Sequence, residues 1–449
     1  MMSGEVPTVT EGDSPQVAIV RDGGDRLRVL WFVNVPLPAL ARNLDEDTPL
    51  AGGWMESLRM KIVESGRIEL AVAALTTRRL KPFVEDGTTY FTIPIDPPPR
   101  GVGAVVEGWR HRVEPPGALE RCLDVVREHR PDIIHVHGSE RFFGLVAEKT
   151  EIPVVVSIQG ILTACLTHFF DGLSGSDVLR DCLTTGFVKG QRGRFVHDYL
   201  AMWRGARQER RILRVVTAVL GRTSWDREMS ERLCPQAAYY EGPEVIRAAF
   251  HRCAWSPRSG DPVVTAVASG APYKGLETLL ESLALLRSGG HERAELRVVG
   301  SLAETAMWPV LDRRVRKLGL GDAVRWRGLL SPEDLVGELL AASVFVCSSH
   351  IENSPNSLAE AMLVGVPCVA AAVGGVPSVV THGVDGLLFE DGAAAQLRDH
   401  IVALHADRTL SERISARARQ SARRRHDGRR AARLTEEAYR SVVGGPPSG

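Results

Sequence analysis

One stretch limits the possible folds of this chain more than any other: Ser343 to Gly392. It begins with an apolar run, Val344-Phe345-Val346-Cys347, between Ala342-Ser343 and Ser348-Ser349. Four apolar residues bounded by small ones read as a buried parallel strand. A polar loop follows, His350-Ile351-Glu352-Asn353. Ser354-Pro355 then opens a helix, with Ser as the expected N-cap and Pro at the first helical position, where its missing N–H does no harm. Leu358, Ala361 and Met362 give the apolar face, and Gly365 and Pro367 end the helix. A second buried strand, Cys368 to Val373, runs into Gly374-Gly375. A strand, a loop and a helix N-terminus in that order make the edge where open α/β sheets bind ligands.

The N–H groups of Asn356, Ser357 and Leu358 are expected to point out of that helix start, toward a phosphate. Glu352 lies in the preceding loop and Glu360 in the second helical turn. A carboxylate is a poor ligand for phosphate but a good acceptor for hydroxyls. The guest that suits this pattern is a phosphate with hydroxyls on both sides, as in a nucleotide sugar. Two glutamates at this spacing, taken alone, more often mark an ordinary solvated helix face. The wider segment is more specific. Glu352-Asn-Ser-Pro-Asn-Ser-Leu-Ala-Glu360-Ala-Met, then Gly-Val-Pro-Cys-Val-Ala and Gly374-Gly375-Val-Pro, resembles the E-x7-E motif of retaining GT-B glycosyltransferases, the "group 1" family.

A chain of 449 residues suggests two or three domains, and 44% hydrophobic residues supply ample core. Lys+Arg and Asp+Glu are both 55, so no net field draws nucleic acid. Seven cysteines stand singly, none in a C-x-x-C pair, which reads as buried free thiols in a reducing compartment. No apolar run is long enough to span a membrane. The polar, acidic start does not read as a secretory signal.

In chain order, residues 1–25 read as a disordered lead-in. Leu27 to Val33 is the first strand, and Gly52-Gly53 precedes a helix, Glu56 to Ser65. By itself that glycine pair is an ordinary turn; in the family it resembles, the glycine-rich loop lies beside the donor diphosphate. Leu70 to Leu75 and Thr88 to Pro94 read as strands, Pro97 to Pro99 as a loop, and Leu119 to His129 as an amphipathic helix. Pro131-Asp-Ile-Ile-His135-Val-His137-Gly138 resembles the family's "PDIIHxHG" strand. A metal reading of His135 and His137 lacks a third ligand at useful spacing. His135 reads as a core histidine, and His137, at the strand's end, as the active-site candidate.

Residues 163–214 form a helical excursion rich in aromatics and arginines. Its simplest reading is a helical layer with an Arg-rich solvent face; the alternative is peripheral contact with an anionic membrane. Arg222-Thr-Ser-Trp225-Asp226-Arg227 resembles the family's "GRTxWD" stretch. Ser269-Gly-Ala-Pro-Tyr-Lys274-Gly275 follows a strand, Val263 to Ala268. The resemblance gives Lys274 to the donor diphosphate. Many family members carry an arginine where this chain has Ser269, which leaves one less cation. From Glu412 to Arg433 nine Arg face two acids, again read as a solvated helix face, with anionic lipid as the alternative.

The expected architecture is α/β: two Rossmann-like, parallel-sheet domains facing a cleft, the GT-B arrangement. Residues 26–241 form the acceptor domain, 242–410 the donor domain, and 411–441 a basic helix crossing back. The resemblance implies a retaining transferase with no cofactor beyond its nucleotide-sugar co-substrate; Lys274 and the helix N-terminus at Asn356–Leu358 make a divalent metal unnecessary, and the expected setting is cytoplasmic. The acceptor is a glycan, a lipid-linked sugar or a small molecule. His137, Glu352 and Lys274 are the expected catalytic residues. Gly52, Gly53, Lys274, Asn356, Ser357, Leu358 and Glu360 are expected to bind the donor, Glu352 holding the sugar's hydroxyls and Glu360 the ribose. An epimerase of the same fold and a non-catalytic nucleotide-sugar binder are the competing readings.

Overall fold

The computed structural model describes residues 26–47, 52–96, 113–184 and 194–444. The lead-in at 1–25 and the Pro97–Pro99 loop lie outside them. In the first half the strands are β1 (Leu27–Val33), β2 (Ile68–Thr76), β3 (Phe83–Glu85), β4 (Thr88–Pro94), β5 (Ile133–His137), β6 (Val154–Ser157), β7 (Ala218–Gly221) and β8 (Ala238–Glu241). They form one sheet in the order β3-β4-β2-β1-β5-β6-β7-β8. All pairings are parallel except β3 with β4, which turn over at Asp86-Gly87. Both turn residues have positive φ, 48° and 70°, as a two-residue hairpin of matching twist requires.

The second half contributes β9 (Val263–Val267), β10 (Glu295–Val299), β11 (Val324–Gly328), β12 (Val344–Cys347), β13 (Cys368–Ala371) and β14 (Leu387–Phe389). Their order is β11-β10-β9-β12-β13-β14, all parallel. Helices cover both faces of each sheet, so β5, β6, β7, β12 and β13 are buried at every residue. Each sheet reverses its strand order once, between β1 and β5 and between β9 and β12. The carboxyl ends of strands at such a switch point form the ligand crevice. The two crevices face each other.

Among the described residues, three contacts between the halves bear on the site. The helix Arg194–Leu213 begins with Phe195, which is buried in the second domain's core beside Leu276 and Met307. Around it Arg313 meets Asp177 at 2.8 Å, Arg314 donates to the Gly172 carbonyl at 2.8 Å, and Arg194 donates to the Glu304 carbonyl at 2.6 Å. The excursion is thus a bridge to the second domain as well as a layer on the first. A second contact, through Thr223 and Asn353, closes the cleft.

The third contact corrects the single basic helix expected at 411–441. Two helices stand there, Arg408–Arg425 and Gly428–Gly444. The break falls at His426-Asp427, where the Asp427 carboxylate accepts the Arg430 N–H at 2.7 Å and so caps a new helix. The first helix stays on the second domain; Arg419 donates to the Leu363 and Cys253 carbonyls. The second packs on the first domain, where Tyr439 is fully buried beside Trp31 and His135. It runs to Gly444, three residues past the expected end. Several arginines expected to face solvent or lipid are therefore structural: Arg425 donates to the carbonyls of Ser378 and Arg222, and Arg430 pairs with Glu241.

Candidate active site

A cavity of about 490 Å³ opens between the two crevices. Gly52, Gly53, Trp54, Gln159 and Arg222 line it from the first domain; Ser269, Lys274, Glu352, Asn356, Ser357 and Glu360 line it from the second. Six of the sequence-derived donor residues therefore meet Glu352 in one place, although they lie on three separate segments.

The second-domain wall is two loops zipped together. His350 N–H donates to the Tyr273 carbonyl at 2.8 Å, and Ser348 Oγ donates to the Lys274 carbonyl at 3.3 Å. Gly275 permits this approach: its φ is 64°, and a Cβ there would lie 1.8 Å from the Ser348 oxygen. The zipped loops bring Lys274 Nζ to 2.5 Å from Glu352 Oε1, which also accepts from Ser349 Oγ at 2.8 Å. Burial opposes the charge on Lys274, but the adjacent Glu352 outweighs it and raises the lysine's pKa. An ammonium and a carboxylate thus stand ready in the cavity.

The helix Asn356–Val364 starts one residue later than expected. Pro355, not Ser354, is the N-cap, and it offers no side-chain cap. The Ser354 hydroxyl instead donates to Glu244 at 3.3 Å. Leu358 N–H, expected to face the ligand, donates to the Pro355 carbonyl at 3.1 Å. The N–H groups of Asn356 and Ser357 remain at the helix start, with Asn356 Oδ1 buried and unpartnered beside them. Glu360 pairs with Arg247 at 2.8 Å, and burial pushes its carboxyl up against the pull of that arginine. Arg247 itself, missed in the sequence, lies against Gly53 and lines the cavity.

The first-domain wall departs from expectation at His137. Its ring is fully buried, does not line the cavity, and packs under Trp54 (5.5 Å between centroids) and against Trp31 (4.3 Å). Neither ring nitrogen has a hydrogen-bond partner, and burial holds the imidazole neutral. His135 is the satisfied core histidine, with Tyr439 Oη at 2.5 Å and Ser157 Oγ at 2.7 Å. Around His137 other strand ends carry residues that were not among those expected in the site. Asn34 follows β1 and donates to Glu140 at 3.3 Å, and burial pushes the Glu140 carboxyl up to about 7. Asn34 Oδ1, Gln159 Nε2 and Arg222 Nε are buried without partners. Buried polar atoms left unsatisfied are uncommon, and here they cluster where a ligand would satisfy them. Their positions after β1, β5, β6 and β7 were the available signal.

Behind the donor wall, His350 is clamped between Glu277 and Asp391, 2.6 Å from each. Burial lowers its pKa, but hydrogen bonds and charge from the two carboxylates prevail and raise it to about 9. The unfolded value is about 6.5. The folded state holds the proton more tightly, so the clamp stabilises fully below about pH 6.5 and is lost as pH rises through about 9. The stability lost on His350→Gln, measured by urea unfolding, is therefore expected to shrink over that window. A loss that stays constant from pH 6.5 to 9 would mean a neutral His350.

Among the described residues no group of three His, Cys, Asp or Glu could hold a metal ion, and no helix is long and apolar enough to cross a membrane. All seven cysteines are free.

Two Rossmann-like domains with crevices face to face, and this set of residues between them, define the GT-B class. A family profile described as glycosyl transferases group 1 matches residues 249–421, and one described as a glycosyl transferase 4-like domain matches 56–241. The chain thus carries a group 1 glycosyltransferase domain over residues 249–421. It is 38% identical over 108 residues to N-acetyl-alpha-D-glucosaminyl L-malate synthase of Bacillus anthracis, covering 24% of this chain and 28% of that protein. It is 33% identical over 156 residues to D-inositol 3-phosphate glycosyltransferase of Geodermatophilus obscurus, 34% of each. The matched stretches thus span about a third or less of these curated relatives. Its fold is shared with Alr3699/HepE of Anabaena, solved in complex with UDP and glucose, at a TM-score of 0.62 and 16% identity over 93% of this chain and all of that one.

Proposed function

We propose that the chain moves a sugar from a nucleoside diphosphate sugar to an acceptor hydroxyl, with retention of configuration and without a divalent metal. The observation that carries this reading is the shared cavity: an ammonium and a helix N-terminus sit between two carboxylates, opposite unsatisfied polar groups. Lys274 and the N–H groups of Asn356 and Ser357 take the diphosphate; Glu352 accepts from the sugar's hydroxyls, and Glu360, held by Arg247, accepts from the ribose. The bond from the anomeric carbon to the diphosphate oxygen breaks, the bond to the acceptor oxygen forms, and one proton is released. Negative charge grows on the departing diphosphate, where preorganised donors act most strongly. The acceptor lies on the first-domain side, near Asn34, Glu140 and Gln159. His137 reaches the reacting carbon only when Trp54 swings off it. The relatives' names support sugar transfer, and the Anabaena complex supports a uridine nucleotide as one donor to try first. Retention rests on the E-x7-E resemblance. The free thiols support a reducing, cytoplasmic setting.

The test is a panel of nucleotide sugars, scored for nucleoside diphosphate release with and without acceptors, with the product anomer read by NMR. Release that needs an acceptor, gives the retained anomer and survives chelation is expected. Conversion of the donor with no acceptor would indicate an epimerase, and thermal protection without turnover a binder. Activity abolished by chelation and restored by magnesium or manganese would remove the metal-independent part of the reading.

A further inference from the structure

Within Arg222–Arg227, only Arg222 lines the cavity. Thr223 and Asp226 face the other way, across the cleft to Asn353, the neighbour of Glu352. Thr223 Oγ1 donates to Asn353 Oδ1 at 2.7 Å, and Asn353 Nδ2 donates to Asp226 Oδ2 at 2.9 Å. The three side chains are buried. Asp226 also accepts from the N–H groups of Arg222 and Thr223 and from Tyr239 Oη. The carboxylate is thus an acceptor held in place, and Thr223 is a donor held in place. Only a side chain with both a donor and an acceptor satisfies the pair, and the amide of Asn353 has both.

The same contact fixes the loop that carries Glu352. Gly375 N–H donates to the Glu352 carbonyl at 2.9 Å. A Cβ on Gly375 would lie 2.2 Å from the Asn353 oxygen and 2.8 Å from Thr223, so the two domains meet backbone to side chain. Beside it, Ser224 N–H donates across the cleft to Ser378 Oγ at 3.1 Å. The bonds of Thr223 and Asp226 to Asn353 and of Ser224 to Ser378 cross between the domains, so opening the cleft would break them. Once the cleft opens, water satisfies the same groups, so the net preference is modest. Hydrogen bonds of this kind are worth on the order of five- to tenfold each, more where one partner is charged. That makes a reversible contact.

We propose that Asn353 is a positioning residue whose amide latches the donor loop to Thr223 and Asp226, so that closing the cleft and seating Glu352 are one event. The inference rests on the sugar-transfer reading for its consequence, though the latch itself is a property of the unliganded protein.

Aspartate at this position separates a latch from mere packing. It has the shape of asparagine, but it supplies a donor only when protonated. Ionised, it would sit beside Asp226, with Tyr239 Oη, the Gln159 carbonyl, Arg425, the Arg222–Glu244 pair and Glu352 as the other polar groups nearby. Two carboxylates at this distance cannot both ionise easily, so one holds its proton to higher pH. In the full chain, Asn353→Asp and Asn353→Ala are compared with wild type at each pH by hydrogen exchange of the Ser224 amide and by turnover. At pH 8 both variants are expected to exchange about tenfold faster or more, with turnover reduced by a similar factor. At pH 5.5 Asn353→Asp should return to within about twofold of wild type, while Asn353→Ala should not. Affinity for the nucleoside diphosphate should change little in either. Wild-type exchange at Ser224 in both variants, or identical behaviour of the two variants at both pH values, would overturn the proposal. If exchange follows the expected pattern while the wild type transfers no sugar, the latch stands and the sugar-transfer reading falls.

Discussion

Lys274→Ala is expected to lower turnover at saturating donor by about 10²–10³-fold, the usual cost of removing one donor aimed at developing charge. The contact should strengthen as the glycosidic bond breaks, and only that difference accelerates the step. From the sequence alone, with serine at position 269, Lys274 stands as the main mobile cation, which favours the upper half of the range. The structure adds Arg222 and Arg247 to the same cavity, so the lower half is now expected. Lys274→Arg should recover part of the loss, since a planar fork does not replace a point charge in a loop this tight. A second explanation must be separated: Lys274 also holds Glu352, 2.5 Å away. If holding Glu352 were its whole purpose, Lys274→Ala would cost nothing further in a Glu352→Gln background. A cycle of the two single variants and the double measures that coupling. Retention of more than about a third of wild-type turnover by Lys274→Ala, with circular dichroism confirming the fold, would move the diphosphate elsewhere.

Both sheets were legible because parallel strands buried on two faces read as apolar runs; β12 and β13 are unbroken, while two histidines interrupt β5 and Thr265 interrupts β9. What the sequence hid was short or non-local. β3 and β14 have three residues each, too few for a pattern, although Asp86-Gly87 marked the β3 turn. Edge strand β8 keeps none of its four residues buried, so its pattern is weak. The break at His426-Asp427 leaves a capping residue as its signal, but the run of arginines on both sides read as one helix. The residues that line the cavity could be gathered from motifs, because most sit at a strand end or near a helix start. Their pairings could not. Lys274 and Glu352 are joined only through the zipped loops, and Arg247 meets Glu360 only because the chain crosses there between domains. His137 illustrates the limit best. Its place at the end of β5 was legible, while the cover over it comes from Trp54, in a different β–α unit.

The largest expected loss of stability lies where the chain crosses between the domains. Glu244 is almost wholly buried and is hydrogen-bonded to the guanidinium of Arg222, itself buried under Trp54. Its second oxygen accepts from Ser354 at 3.3 Å, and its backbone carbonyl meets His426 Nδ1 at 3.1 Å. One residue therefore ties together the first domain, the donor loop and the turn between the last two helices. Removing one partner of a buried ion pair typically costs about 3–5 kcal/mol, because the other charge stays behind uncompensated. Glu244→Ala is expected in that range by urea unfolding. Arg222 Nε already lacks a hydrogen-bond partner, so removing Glu244 leaves the guanidinium with still fewer. Arg222→Met in the same chain should restore much of the loss, since the pair removed together leaves no buried charge. The combined variant also separates stability from chemistry. Arg222 lines the cavity, so a stable Arg222→Met/Glu244→Ala protein that still turns over slowly would place the arginine in the reaction. Were Glu244→Ala to cost less than about 1 kcal/mol, water would be reaching the pair, and the crossing would be looser than this packing implies.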